Sequence, residues 1–132
     1  MRVLICIPCL LTGGTEIQTL NLVEALIRGG HQVTTVCYFE HTPNMVSRYQ
    51  QVGSKVVWLS VTGKRIGGIN GIIFLYKGLK QMIRISKPDI THVQYMAPGA
   101  IPILLLRLFG IKNIIATAHT AADIYPNLKL VH

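Results

Sequence analysis

The residues able to do chemistry gather at the ends of apolar runs. Gly13-Gly14-Thr15-Glu16 follows the run from Val3 to Pro8. Two glycines ahead of a helix let backbone N–H groups approach a ligand closely, and the positive helix end favours anions, phosphates above all. His119 follows another apolar run, and an imidazole can donate, accept or carry charge near neutral pH. Lys64 and Arg65 lie in a glycine-rich loop from Thr62 to Asn70. His92 stands inside an apolar run and reads as a satisfied interior residue. His31, at a helix end, reads as structural. Cys6-Ile7-Pro8-Cys9 is formally a C-x-x-C. A redox motif needs its second cysteine at a helix start, and here Leu10-Leu11-Thr12-Gly13-Gly14 intervenes. Three cysteines do not suit a disulfide framework, and two thiols on adjacent turns lack the further ligands of a zinc site. No metal or cofactor is expected.

The elements that must position these residues alternate. Val3 to Pro8 is a short continuous apolar run, as in a parallel strand covered on both faces. Thr15 reads as the N-cap of a helix closed by Arg28 and Gly29-Gly30, with Glu16 favourable at its positive end. Gln32 to Phe39 reads as a second strand, Thr42 to Val52 as a polar helix with Pro43 in its first turn, and Lys55 to Ser60 as a third strand. In a helix over Gly71 to Ser86, Ile72, Leu75, Tyr76, Leu79, Met82 and Ile83 share one face. Ile90 to Tyr95 reads as a fourth strand, Pro98 to Phe109 as a helix capped by Gly110, and Lys112 to Ala118 as a fifth strand. This alternation predicts an α/β fold, a Rossmann-like doubly wound parallel sheet of order 3-2-1-4-5. Ligands then bind beyond the carboxyl ends of the strands, near Pro8 to Gly14, after Tyr95 and at His119.

Composition narrows the class. Half of the 132 residues are hydrophobic and 14% are charged, which excludes a disordered chain and fits a sheet buried on both faces. The most apolar stretch, Met96 to Ile111, is shorter than the ~20 residues of a membrane span and holds Arg107, Pro98 and Pro102. The N-terminal run lacks the small-x-small cleavage site of a signal peptide, so the expected location is cytoplasmic. Thirteen Lys or Arg against five Asp or Glu give a net charge of +8. Lys77, Lys80, Arg84 and Lys87 share a helix face with no acid between Gly71 and Pro88, a surface suited to an anionic membrane. Motifs for nucleic acid are lacking.

Several segments in register resemble the start of GT-B glycosyltransferases of the large retaining family 4. They are the Arg2-Val3-Leu4-Ile5 strand, Gly13-Gly14-Thr15-Glu16, the helix ending Gly30-His31, and Val33-Thr34. Lys87-Pro88-Asp89-Ile90-Thr91-His92 is similar to the family's Pro-Asp-Ile-Val-His strand. Thr117-Ala118-His119-Thr120 is similar to its Thr-x-His segment. Gln94 stands where a second histidine is frequent, and Thr120 where Asp or Gly is frequent. The resemblance implies residues 1–132 as the N-terminal, acceptor-side domain, incomplete at its C-terminus. By the same resemblance the donor domain with its Glu-x7-Glu motif is expected to be absent from these residues. It implies a nucleotide diphosphate-sugar donor and a sugar or lipid-linked acceptor. By the same resemblance His119 contacts the donor sugar, Gly13 and Gly14 admit its phosphate or sugar, and Glu16, Lys64, Arg65 and Thr120 serve the acceptor.

Two rival readings follow from the residues. Glu40, at the end of the second strand, could hold a ribose in a dinucleotide-binding domain, although Gly13-Gly14 is not Gly-x-Gly-x-x-Gly. The chain could also be a non-catalytic membrane- or partner-binding subunit of a split enzyme. Apolar surface left by an incomplete sheet predicts self-association.

Overall fold

The computed structural model describes residues 1–11, 14–60, 68–95, 101–111 and 113–118. Strands and helices alternate as β1 (Arg2–Ile7), α1 (Gly14–Arg28), β2 (Gln32–Cys37), α2 (Pro43–Gln51), β3 (Lys55–Trp58), α3 (Gly68–Ser86), β4 (Ile90–Tyr95), α4 (Ile101–Leu108) and β5 (Ile114–Ala118). All pairings are parallel, in the order β3-β2-β1-β4-β5. The doubly wound α/β fold expected from the alternation is therefore the one observed.

β1 is central, and its side chains divide two cores. Val3, Ile5 and Ile7 point to the face covered by Leu20 and Val23 of α1 and Met45, Val46 and Tyr49 of α2. Leu4 and Cys6 point to the opposite face, under Leu75, Leu79 and Met82 of α3 and Leu105 and Leu106 of α4. A strand buried on both faces needs an unbroken apolar run, which is why Val3 to Ile7 does not alternate. On α3, Gly78 permits a close approach: a Cβ there would stand 2.6 Å from Leu59 Cδ1.

The helix ends follow local chemistry. Thr42 caps α2, its hydroxyl accepting the Met45 N–H at 3.2 Å, with Pro43 in the first turn. At the end of α1, Gly30 adopts φ +88° while His31 N–H donates to Leu26 O and Gly30 N–H to Ile27 O. This is the Schellman closure that Gly29-Gly30 predicted. α4 closes the same way at Gly110. α3 has no glycine there, so Lys87 takes the left-handed conformation at φ +44°, a strained one for a residue with a Cβ.

Some boundaries and roles differ from the sequence expectation. α1 begins at Gly14, so Thr15 is a helical residue, not the N-cap; its carbonyl accepts the Thr19 hydroxyl at 2.8 Å. β2 ends at Cys37 and β3 at Trp58; beyond Cys37 the chain bonds to the loop after β1, Phe39 N–H to Pro8 O and Leu10 N–H to Glu40 O. α3 begins at Gly68, about one turn before Gly71. Its expected apolar face is split. Leu75, Leu79 and Met82 are buried, whereas Ile72 and Tyr76 face outward at the α4 side, Tyr76 meeting Phe109 edge-on at 5.2 Å. Pro98 to Ala100 and Lys112, expected within α4 and β5, lie outside the described residues.

Candidate functional site

The order reverses between β1 and β4, so the chain leaves these adjacent strands toward opposite faces, β1 into α1 and β4 into α4. That divergence opens a crevice at their carboxyl ends, where α/β sheets bind ligands. One wall is the loop after β1. Its backbone is stitched to the loop after β2: Leu10 N–H donates to Glu40 O at 2.8 Å, Thr42 N–H to Leu10 O at 3.1 Å, and Phe39 N–H to Pro8 O at 3.0 Å. Leu10 is fully buried beneath.

Glu16 completes this wall from inside. It is 4% exposed, and its Oε2 accepts the Leu11 N–H at 3.1 Å, with the Cys9 thiol at 4.0 Å. The Tyr49 hydroxyl donates to the Glu16 carbonyl at 2.7 Å, tying α2 to the first turn of α1. The residue expected to serve the acceptor is Glu16. Its carboxylate is turned into the protein and holds the loop, because a buried charge at a helix start is stabilised by N–H donors and the helix dipole.

Gly14 is exposed and opens α1. A Cβ there would meet nothing within 4 Å. Packing around its Cα therefore does not demand glycine. On β4, the Gln94 amide donates to His92 Nε2 at 3.1 Å. His92 is thus an interior-type residue with a satisfied ring, as read from the sequence, and Gln94 is buried beside it.

β5 ends at Ala118, paired with Tyr95 at the end of β4, so the chain leaves β5 at the carboxyl edge of the sheet. His119 and Thr120 follow it, but like Gly13, Lys64 and Arg65 they lie outside the described residues. Of the expected site residues, Gly14 and Glu16 are described, two positions apart at the head of α1.

The thiols lack the exposed setting of a reactive pair. Cys6, Cys9 and Cys37 are free and buried. Burial pushes the Cys6 thiol up to about 12, partly offset by the neighbouring Tyr38 hydroxyl, and it pushes Cys37 to about 12 as well. Reactive thiols are exposed and shifted the other way. Burial likewise raises Tyr38 and Tyr49 well above the usual phenol range. Among the described residues no three His, Cys, Asp or Glu side chains form a metal cluster, and no helix is long and apolar enough to cross a membrane. A groove of about 780 Å³ lies mainly at the amino ends of the strands, around Arg2, Gln32 and Pro88. That is the wrong end of a parallel sheet for the ligand of the switch point.

Residues 12–132 match the family model described as Glycosyltransferase Family 4. The chain belongs to that family. No curated protein matches it in sequence. Among solved structures, a glycosyltransferase from Rickettsia africae is 16% identical with a TM-score of 0.65, over 96% of this chain and 33% of that one. MurG from Acinetobacter baumannii is 16% identical with a TM-score of 0.59, over 98% and 38%. A deacetylase in complex with bog, from the biosynthesis pathway of teicoplanin, is 8% identical with a TM-score of 0.59, over 95% and 70%. At these identities the likeness is one of fold. The chain spans about a third of the length of the first two.

Sequence reasoning missed three residues near the carboxyl ends of the strands. Tyr49 was read only as part of a polar helix, although a tyrosine on the inner face of a short helix signals a buried hydroxyl seeking a partner. His41 and Trp58 stack at the carboxyl ends of β2 and β3, their ring centroids 5.3 Å apart. Their pairing was invisible because it joins positions 17 apart across two strands.

Proposed function

We propose that the chain is the acceptor-side part of an enzyme that transfers a sugar from a nucleotide diphosphate donor with retention. The observation that carries this reading is an exposed helix start at Gly14, beside the switch point of a family 4 chain. In this reading Gly13 and Gly14 admit the donor's phosphate or sugar. His119 orients the donor sugar, and Lys64, Arg65 and Thr120 face the acceptor. Negative charge growing on the leaving diphosphate is met by backbone N–H groups and the α1 dipole, without need of a metal. Glu16 acts by keeping the Leu11 backbone in place beneath that site. The remaining donor contacts come from a second domain, so the 132 residues alone do not turn over.

Transfer from labelled UDP- and GDP-sugars by the full-length protein tests this. His119→Ala there should lower the rate by roughly 10²–10³-fold, the loss typical of a removed stabilising hydrogen bond. Turnover by the 132-residue chain alone would overturn the division of labour. Tighter binding of NAD than of any nucleotide sugar would favour the dinucleotide reading.

The acceptor side also faces a membrane in this reading. α3 turns Ile69, Ile73 and Tyr76 outward beside Leu104 and Leu108 of α4. Lys77, Lys80 and Arg84 are exposed along the same helix, Lys80 Nζ standing 5.6 Å over the Tyr76 ring, and Lys87 follows them. Apolar side chains bordered by cations suit the cytoplasmic face of an anionic bilayer, and a lipid-linked acceptor would be met there. Sedimentation with phosphatidylserine vesicles, but not with phosphatidylcholine vesicles, is the expected result. Equal sedimentation with both would remove the electrostatic part of the reading.

A further inference from the structure

We propose that Trp58 and His41 form a stacking platform for a pyranose ring of the acceptor, beside the transfer centre. The proposal rests on the glycosyltransferase reading and deepens it by naming a sugar subsite. Trp58 is the only tryptophan of the chain. It ends β3, paired with Cys37 at the end of β2, and remains 40% exposed. Its indole and the His41 imidazole stack at 28°. A tryptophan this exposed forgoes much of the burial that makes the residue stabilising.

The pair is held in place by local bonds. His41 Nδ1 lies 3.1 Å from Phe39 O, so Nδ1 carries a proton and donates to that carbonyl. In the neutral ring Nε2 is then left as an acceptor. The His41 backbone bridges to Leu10, and the next residue, Thr42, caps α2. The ring is therefore fixed before any ligand arrives, which lowers the ordering cost of binding.

The chemistry of this pair suits a sugar. An aromatic face is electronegative, and the C–H hydrogens on one face of a pyranose carry partial positive charge. The hydroxyls at the rim of that ring need both donors and acceptors. Trp58 Nε1–H supplies a donor and His41 Nε2 an acceptor. β3 lies two strands from β1, about 10 Å at ordinary strand spacing. That offset separates the platform from the diphosphate position before α1 by a distance that one or two sugar units bridge. The chain passes from Trp58 toward the segment bearing Lys64 and Arg65.

Trp58 is its own reporter. Its emission is titrated with methyl β-D-glucopyranoside, methyl α-D-mannopyranoside and methyl N-acetyl-β-D-glucosaminide, with UDP as the nucleotide control. The expected result is a saturable change with at least one glycoside in the millimolar range and none with UDP. His41→Ala keeps the reporter and should weaken that binding roughly 3- to 10-fold. Trp58→Ala should abolish it in calorimetry while the circular dichroism spectrum is retained. Emission unmoved by all three glycosides, or moved by UDP at lower concentration, overturns the platform. Transfer by the full-length protein is measured separately. Transfer with a silent Trp58 removes the platform alone, and a responsive Trp58 without transfer removes the parent reading while the sugar subsite stands.

Discussion

Removing the Glu16 carboxylate tests how the wall of the candidate site is held. Its Oε2 accepts the Leu11 N–H at 3.1 Å from a position that is 4% exposed, inside the first turn of α1. A hydrogen bond to a charged group contributes about 1.5–3 kcal/mol. The dipole at a helix start adds about 0.3–1 kcal/mol. Leu11 itself lies at the surface, so water can replace the lost carboxylate at its N–H and the lower half of that range applies. Glu16→Ala should therefore cost about 2 kcal/mol. Glu16→Gln keeps an acceptor oxygen without the charge and should cost about half as much. For 132 residues the unfolding entropy near the midpoint is about 0.28 kcal/mol per kelvin, so Glu16→Ala should lower Tm by about 7 °C. Urea and thermal unfolding give the energies, and amide hydrogen exchange gives the location. Leu11 should lose protection in Glu16→Ala while Ile5 in the central strand follows only the global change. A Glu16→Ala protein within about 0.5 kcal/mol of the parent, the level of an ordinary surface change, would refute the latch.

Other expectations follow from the same geometry. Gly14→Ala should leave unfolding stability unchanged or raise it by up to about 1 kcal/mol, since nothing stands within 4 Å of the added Cβ. The same change should weaken nucleotide-sugar binding by the full-length protein, and unchanged affinity would remove Gly14 from the site. The thiols of Cys6 and Cys37 sit near 12 in the fold against 9.0 when free, so the folded state holds protons that the unfolded chain releases. Their contribution is complete below pH 9 and falls as pH rises toward 12, by up to about 1.4 kcal/mol per pH unit for each thiol. The urea midpoint should fall steeply above pH 9, and Cys6→Ala should flatten that fall; an unchanged slope would count against it. Replacing Lys77, Lys80 and Arg84 with Gln should lower affinity for anionic vesicles roughly 100-fold, near 1 kcal/mol per cation. The isolated chain should self-associate in sedimentation velocity, with Leu104→Lys and Leu108→Glu together reducing it.

The fold was legible because β1 and β4 follow rules that act locally. An unbroken apolar run from Val3 to Ile7 demands cover on both faces, and Gly30 and Gly110 mark helix ends by their backbone freedom alone. Pro43 after Thr42 fixed the start of α2 for the same reason. Where tertiary contacts decide, local rules failed. The outward turn of Ile72 and Tyr76 depends on where α4 packs, and the helical period cannot tell the buried centre of a wide apolar stripe from its edge. Glu16 was legible as a residue favoured at a helix start, but its direction was not. A carboxylate in a first turn can face solvent or reach back to a loop, and here it reaches back to accept the Leu11 N–H five residues earlier. The Trp58 and His41 stack depends on the register of β2 against β3, which no spacing in the chain encodes.

The positions of the acids explain why one surface of this basic chain is left uncompensated. Five acids face thirteen cations, and four of the acids are described. Glu16 is buried under its own loop, and Glu24 pairs with Arg28 on α1 at 2.6 Å. Glu40 is half-buried between β2 and α2, and Asp89 accepts the Arg2 N–H at 2.8 Å below β4. Two of these acids lie on α1, none lies on α3 or α4, and those two helices expose Lys77, Lys80, Arg84 and Arg107 among outward Ile and Leu side chains. Had the excess charge served only solubility, cations would interleave with acids over both faces. In the proposed reading, its concentration on the face that also exposes Ile69, Ile73, Leu104 and Leu108 suits a partner that is both anionic and apolar. A lipid surface has both properties at once, whereas a nucleotide diphosphate has only the first and would be served by the helix end at Gly14 instead.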